Sequence, residues 1–291
     1  MIHTLEHIFV HALEDNINLI PFLFATYCIM EYMELFMSEK SEGAVRYSGK
    51  MGPLLGGIIG IIPQCGFSAS AASFFSGGVI TLGTMIAIFL STSDEMLPIL
   101  ISAAVPASTI GKILVVKALI AIFCGFVIDF ILRIFKNSYV KSKHIHDLCE
   151  QDHCHCEEQH SVWKSALVHT IKVFIFIFIV SLVLNLVFEL GGAATLEKFA
   201  SNNSVFAIML TGLVGLIPNC AASVMITQLY LKSVISAGTM MAGLLVSAGV
   251  GVLVLFRTNH PMKQNVKIVS LLYAMGVVAG FMIDLVGITF V

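Results

Sequence analysis

The sequence predicts an all-α integral membrane protein built as two inverted-topology repeats that carry broken or re-entrant helices. Three observations predict this. The chain of 291 residues is 57% hydrophobic and only 12% charged, and its mean hydropathy is +0.94, which excludes an ordinary soluble domain. A passage recurs 155 residues on, GIIPQC at 60–65 returning as GLIPNC at 215–220, with Ser68 falling on Ser223. Each copy interrupts a long apolar stretch with a proline, an amide and a cysteine. Paired interruptions at matching places in two halves are the best pointer in a sequence to a transporter's binding site.

The register then holds without a gap. Gly83, Thr84, Met85 and Ala87 fall on Gly238, Thr239, Met240 and Ala242, and Lys112 and Ile113 on Lys267 and Ile268. GFVID ending at Asp129 matches GFMID ending at Asp284. Each repeat therefore reads as a plain span, a segment broken at Pro-Gln/Asn-Cys, a second interrupted segment and a closing span.

A helical crossing needs about 20 apolar residues, and the stretches 16–37, 111–135, 165–188 and 268–290 meet that. No Lys or Arg precedes the first of them, unlike a cleaved signal peptide, so the first helix is expected to stay in the mature protein. The halves flanking Pro63 and Pro218 are too short to cross alone, so each is a re-entrant hairpin or a kinked span. The second interruption is STSDE at 91–95.

Charge arbitrates between hairpin and span. If both segments are re-entrant, each half crosses an odd number of times and the repeats are inverted. Lys40, Arg46, Lys50, Arg133, Lys136, Lys141, Lys143, Lys164, Arg257, Lys263 and Lys267 then share one side, and Lys112, Lys198 and Lys232 lie opposite. That is a strong positive-inside bias, with both termini outside. The expected organisation is a first transmembrane repeat at 1–135, a cytoplasmic His/Cys-rich linker at 136–163 and a second transmembrane repeat at 164–291. The net charge of -2 comes with dispersed basic residues, so no nucleic-acid partner is implied.

The two breaks carry the chemistry. Broken helices are tolerated in hydrocarbon only where freed backbone groups are buried in protein or line a wet cavity, so Pro63, Gln64, Cys65, Pro218, Asn219 and Cys220 are expected to mark that cavity. A half-helix starting at either cysteine would aim its positive dipole end at the sulfur and favour thiolate, the form that binds soft metals. Ser68 and Ser223 follow one turn on. The alternative is a proline kink beside a small packing cysteine, and Cys28 and Cys124, which have no such context, are read in that way.

Asp94 and Glu95 follow Ser91, Thr92 and Ser93 between apolar stretches. Adjacent acids at membrane depth are costly unless they serve an ion path or pair with a cation, so both are candidates for cation binding or coupling, against a short exposed loop. The second repeat has Gly249 and Val250 there, which makes the site asymmetric. Asp129 and Asp284 could carry protons or cap helix ends. Glu31 and Glu189 correspond if a three-residue shift is allowed, and join the coupling candidates.

The linker passage 144–160 reads HIHDLCEQDHCHCEEQH. His144, His146, Cys149, His153, Cys154, His155, Cys156 and His160 form a compositional signal for metal binding, suited to thiophilic ions rather than Mg or Ca. It lacks the spacing of a zinc finger, and a solvated linker is the plainer reading. The chain's seven cysteines, three of them in this loop, fit metal chemistry better than a disulfide framework.

IPQCGFSASAASFF at 62–75, FLSTSDEMLPIL at 89–100, IPNCAASV at 217–224 and LLVSAGVGVLVLFRTN ending at Asn259 together resemble the ten-helix heavy-metal exporter family. Its members are variously labelled arsenic efflux proteins or manganese transporters. The resemblance spans nearly the whole chain and implies about ten helical segments crossing or entering the bilayer, with export of a toxic metal or metalloid through the inner (cytoplasmic) membrane. No Walker-type phosphate loop is present to couple ATP, so proton antiport is the expected drive and no cofactor is expected. Cys65 and Cys220 argue for arsenite, an organoarsenical or a soft divalent ion, whereas Asp94 and Glu95 argue for manganese. A membrane-embedded aspartyl enzyme using Asp129 and Asp284 is the less favoured alternative, since neither lies in a Gly-x-Gly-Asp context. The expected partners are the metal or metalloid substrate and the lipid bilayer, with a homo-oligomer left open.

Overall fold

A computed structural model describes residues 20–21, 24–25, 27–28, 51–62, 65–93, 96–134, 162–187 and 204–290. Among these, every regular element is a helix. In the first half they are α1 (Gly52–Ile59), α2 (Cys65–Ser76), α3 (Leu82–Ser91), α4 (Met96–Ser102) and α5 (Ala107–Ile134). After α6 (Val162–Val187) come α7 (Ser204–Gly215), α8 (Cys220–Leu231), α9 (Ala237–Val246), α10 (Val250–Thr258) and α11 (Met262–Val286). The bounds of α8 and α9 repeat those of α2 and α3 at the same offset of 155, as do the starts of α5 and α11.

Local chemistry explains these boundaries. Pro53 sits at the start of α1, where its missing N–H is no loss. Thr81 and Ser236 cap α3 and α9, each accepting a 3.1 Å hydrogen bond from the N–H of Thr84 and Thr239 respectively, which satisfies an otherwise orphaned donor. Pro63 and Pro218 stand between α1 and α2 and between α7 and α8, and proline can neither donate to a helix ladder nor leave its predecessor helical. At the second interruption of the later half the chain turns through Gly249, with φ 53, a conformation glycine adopts without steric cost.

Among the described residues, four stretches are long and apolar enough to cross a membrane: Leu82–Ser102, Ala107–Ile134, Ala237–Thr258 and Met262–Val286. Two of them match the spans expected at 111–135 and 268–290. The other two join α3 to α4 and α9 to α10, so the interrupted segments are membrane-length once their halves are added. Burial separates the pairs. The interrupted stretches are 69% and 83% buried, against 33% for each unbroken one, so the broken helices form the centre and α5 and α11 the flanks.

The core follows the same plan. Met85, Phe89 and Leu90 of α3 and Met240, Met241 and Leu245 of α9 are fully buried. On α5, Val115, Leu119, Phe123 and Phe130 lie exposed, as do Val278, Met282 and Leu285 on α11. A helix with apolar residues on its outer face as well as its inner one belongs in lipid.

Close approaches give helix directions. A Cβ built on Gly52 would lie 2.1 Å from Thr84 Oγ1 and one on Gly60 1.9 Å from Ser91 Oγ, so α1 and α3 run the same way. α5 runs opposite to α3, because Asp129 meets the start of α3 and Lys117 its end. The same opposition holds for α9 and α11, where Gly238 meets Gly280 and Gly276 meets Val246. Between halves, α2 and α10 run in parallel. Gly251 at the start of α10 lies against Ser68, with a built Cβ 2.8 Å from the serine Cβ, and Ser76 shares a 2.8 Å hydrogen bond with Thr258 at the far ends.

Candidate functional site

The helices α2 and α8 begin at Cys65 and Cys220. Their first amides are therefore the orphan donors of a helix N-terminus, with the positive end of the dipole at the cysteine position. Ser68, one turn into α2, is fully buried, and Ser223 is buried at the equivalent place in α8. Asn219 is also buried, its N–H donating to the Ile217 carbonyl at 2.7 Å.

Packing brings other broken ends to these tips. Gly60, the C-cap of α1, lies against Ile88 and Ser91, so the end of α1 adjoins the end of α3. Gly215 makes the equivalent approach, a built Cβ falling 2.2 Å from the Gly243 carbonyl oxygen. Only glycine allows helix backbones this close. Across the halves, the Ser68–Gly251 contact sets the start of α2 beside the start of α10, and α8 packs against α4. Each cysteine-started helix thus rests on the second broken helix of the other half.

At the end of α3 three hydroxyls are buried. Ser91 and Thr92 donate to the Ile88 carbonyl at 3.1 and 2.7 Å, and Ser93 donates to the Ser91 carbonyl at 3.0 Å. Each hydroxyl proton is spent on backbone, so what these side chains can still offer is oxygen lone pairs. Lys117 of α5, 1% exposed, donates its ammonium to the Thr92 carbonyl. Sequence reasoning missed this lysine. The signal was present, a basic residue between Val116 and Ala118 inside an apolar 28-residue helix, and intramembrane ionisable groups are functional candidates by default.

Asp129 and Asp284, for which proton carrying and capping were both open, hold two copies of one arrangement. Asp129 accepts from the Thr81 hydroxyl at 2.7 Å and the Gly83 N–H at 2.9 Å. Asp284 accepts from the Ser236 hydroxyl at 2.6 Å and the Gly238 N–H at 2.7 Å. Each carboxylate spans an N-cap side chain and a first-turn amide, the favourable position for negative charge on a helix. The cap clamps the unbroken helix to the foot of the broken one. Asp129→Ala and Asp284→Ala should each cost about 1–2 kcal/mol of stability, read as a lower thermal midpoint in detergent, while the pH profile of transport stays unchanged. A displaced pH profile in a well-folded variant would restore them as proton carriers.

Pro63, Gln64, Asp94, Glu95, Glu31 and Glu189 lie outside the described residues, as do the side chains of Cys65 and Cys220. So do His144, His146, Cys149, His153, Cys154, His155, Cys156 and His160. Among the described residues no group of three or more His, Cys, Asp or Glu side chains converges. Cys28 and Cys124 pack against the core, as expected of them.

These features define a class first: a helical membrane protein whose discontinuous helices meet at its buried centre. The chain belongs to the family described as "Putative, 10TM heavy-metal exporter", whose model matches residues 4–192. That match takes in the first Pro-Gln-Cys break, the 91–95 interruption and the linker; the second break lies beyond it. No curated protein and no solved structure matches the chain.

Proposed function

We propose that the chain is a secondary active exporter of a toxic heavy metal or metalloid, of the arsenic type or a soft metal, across the inner (cytoplasmic) membrane by proton antiport. The observation that carries this reading is the meeting of broken helix ends, with the start of α2 beside the start of α10 and the end of α1 against the end of α3. Interrupted backbone at membrane depth belongs where it lines a cavity, and half-helix tips facing that cavity are how transporters hold charged cargo. Cys65 and Cys220 at the tips supply soft ligands, with Gln64, Asn219, Ser68 and Ser223 as oxygen donors around them. Asp94 and Glu95 couple transport to protons, and the linker histidines and cysteines collect the substrate near the entrance.

In this reading the halves are inverted. α1 runs with α3, and α2 is followed within a few residues by the Thr81 cap of α3, so α1 and α2 make a re-entrant hairpin. α10 runs with α2, hence against α3, and it extends α9. The two broken spans then cross in opposite senses. The Arg133 end of α5, the Arg257 end of α10 and the start of α1 gather on one side and Lys112 on the other, a positive-inside pattern that supports a cytoplasmic 136–163.

The second reading, manganese export, is favoured by the oxygen-rich end of α3, since hard oxygen donors suit Mn and thiolates suit softer ions. A strain lacking the chain separates them. It should become sensitive to arsenite or a soft divalent ion such as Cd2+, with manganese tolerance unchanged. Sensitivity to manganese alone would replace the first reading with the second.

A further inference from the structure

Gly251 begins α10 with an ordinary backbone. Among the described glycines a positive φ falls at Gly78, Gly249 and Gly287, so the conformation of residue 251 does not itself call for glycine. Contact does. A built Cβ would lie 2.8 Å from Ser68 Cβ and 2.9 Å from both the carbonyl carbon and the carbonyl oxygen of Ser68. Two of these atoms are backbone, so no rotamer change clears them, and a methyl group at 251 has to displace the first turn of α2 itself.

That displacement falls on one end of the helix. Ser76 at the end of α2 and Thr258 at the end of α10 are buried and share a 2.8 Å hydrogen bond. The end of α10 is held in turn by α11. Fully buried Asn265 donates to the Leu255 carbonyl at 3.3 Å and to the Asn259 carbonyl at 2.8 Å, and the Asn259 amide donates back to Asn265 Oδ1. Buried polar networks of this kind are rigid. α2 and α10 are thus parallel helices tied at their far ends, and Gly251 sets their spacing at the other, where α2 starts at Cys65. The arrangement is not duplicated. At the offset of 155 Gly251 falls on Met96, fully buried at the start of α4, so the glycine spacing serves the Cys65 tip and not that of Cys220.

We propose that Gly251 is a positioning residue of the metal site: contributed by the second half, it fixes where the first turn of α2, from Cys65 to Ser68, stands relative to the rest of the site. This rests on the thiolate reading above. Ordinary van der Waals contact begins near 3.4 Å, so a side chain at 251 pushes that turn back by several tenths of an ångström. A metal–ligand distance tolerates only about 0.2 Å. The smallest addition to Gly251 is therefore enough to spoil the spacing of the two sulfurs while leaving the helices folded.

The test measures Cd2+ binding to purified full-length protein by calorimetry, with thermal midpoints alongside, for the wild type, C65S, G251A and the G251A/C65S double variant. G251A should weaken Cd2+ binding about tenfold, as loss of an outer support does at metal sites. Its thermal midpoint should stay near that of the wild type, because the better helix propensity of alanine offsets part of the crowding. In the C65S background the same substitution should change nothing further, since residues that act through one contact are non-additive. Wild-type affinity in G251A overturns the inference, and so does an equal loss in both backgrounds, which would reduce Gly251 to general packing. If G251A does not fold, T258V decides. It removes the tie at the far ends without added bulk and should weaken Cd2+ binding several-fold, again with no effect in C65S; unchanged binding, or an equal loss in both backgrounds, overturns the inference. Cd2+ affinity that is the same in the wild type and C65S overturns the thiolate reading itself, and the positioning inference falls with it.

Discussion

Cys65→Ser and Cys220→Ser should each lower the flux of arsenite or Cd2+ by about tenfold or more, with the double variant scarcely worse than either single. Both residues begin a helix that follows a proline break, which is where the proposed site needs its sulfurs. Serine keeps the size and the hydrogen bonding and removes only the sulfur. Non-additivity follows if one substrate needs both sulfurs, because the second loss removes a contact already broken. Manganese flux, held by oxygen donors, should change little in all three variants. Vesicle flux of the soft probes run beside Mn2+ reads both results, and unchanged soft-probe flux would remove the thiolates from the site.

Asp94→Asn should impair gradient-driven transport about tenfold and more severely than Glu95→Gln, since an acid at membrane depth is costly unless it serves an ion path or pairs with a cation. Asp94 directly extends the Ser91, Thr92 and Ser93 run, whose three hydroxyls are buried at the end of α3. Glu95 is one step nearer to α4. The comparison is made across the pH range in the same vesicles. Wild-type rates for both variants at every pH would exclude them from coupling.

Much of this architecture was legible because proline leaves a mark. Pro63 and Pro218 gave away both breaks, and duplication at a constant offset aligned α2 with α8 and α3 with α9 before any packing was known. Long-range packing left no such mark. Nothing local to Ser68 announces Gly251, and Ser76 finds Thr258 only through the side-by-side run of α2 and α10. The caps were half legible: Asp129 and Asp284 stood out as duplicated acids, but their partners Thr81 and Ser236 lie 48 residues away. Lys117 carries no such mark, because it is present in a single copy and falls on Leu272 at the offset of 155.

Flux through the purified protein tests most directly whether broken helix ends hold a soft metal or metalloid and exchange it for protons. Wild-type protein in liposomes, given a pH gradient and either arsenite or Cd2+ on the side opposite the proton supply, should move the probe against its gradient while protons flow the other way. Dissipating the pH gradient should stop net accumulation. Accumulation of Mn2+ alone, or no proton-driven movement of any of the three probes, would contradict the account.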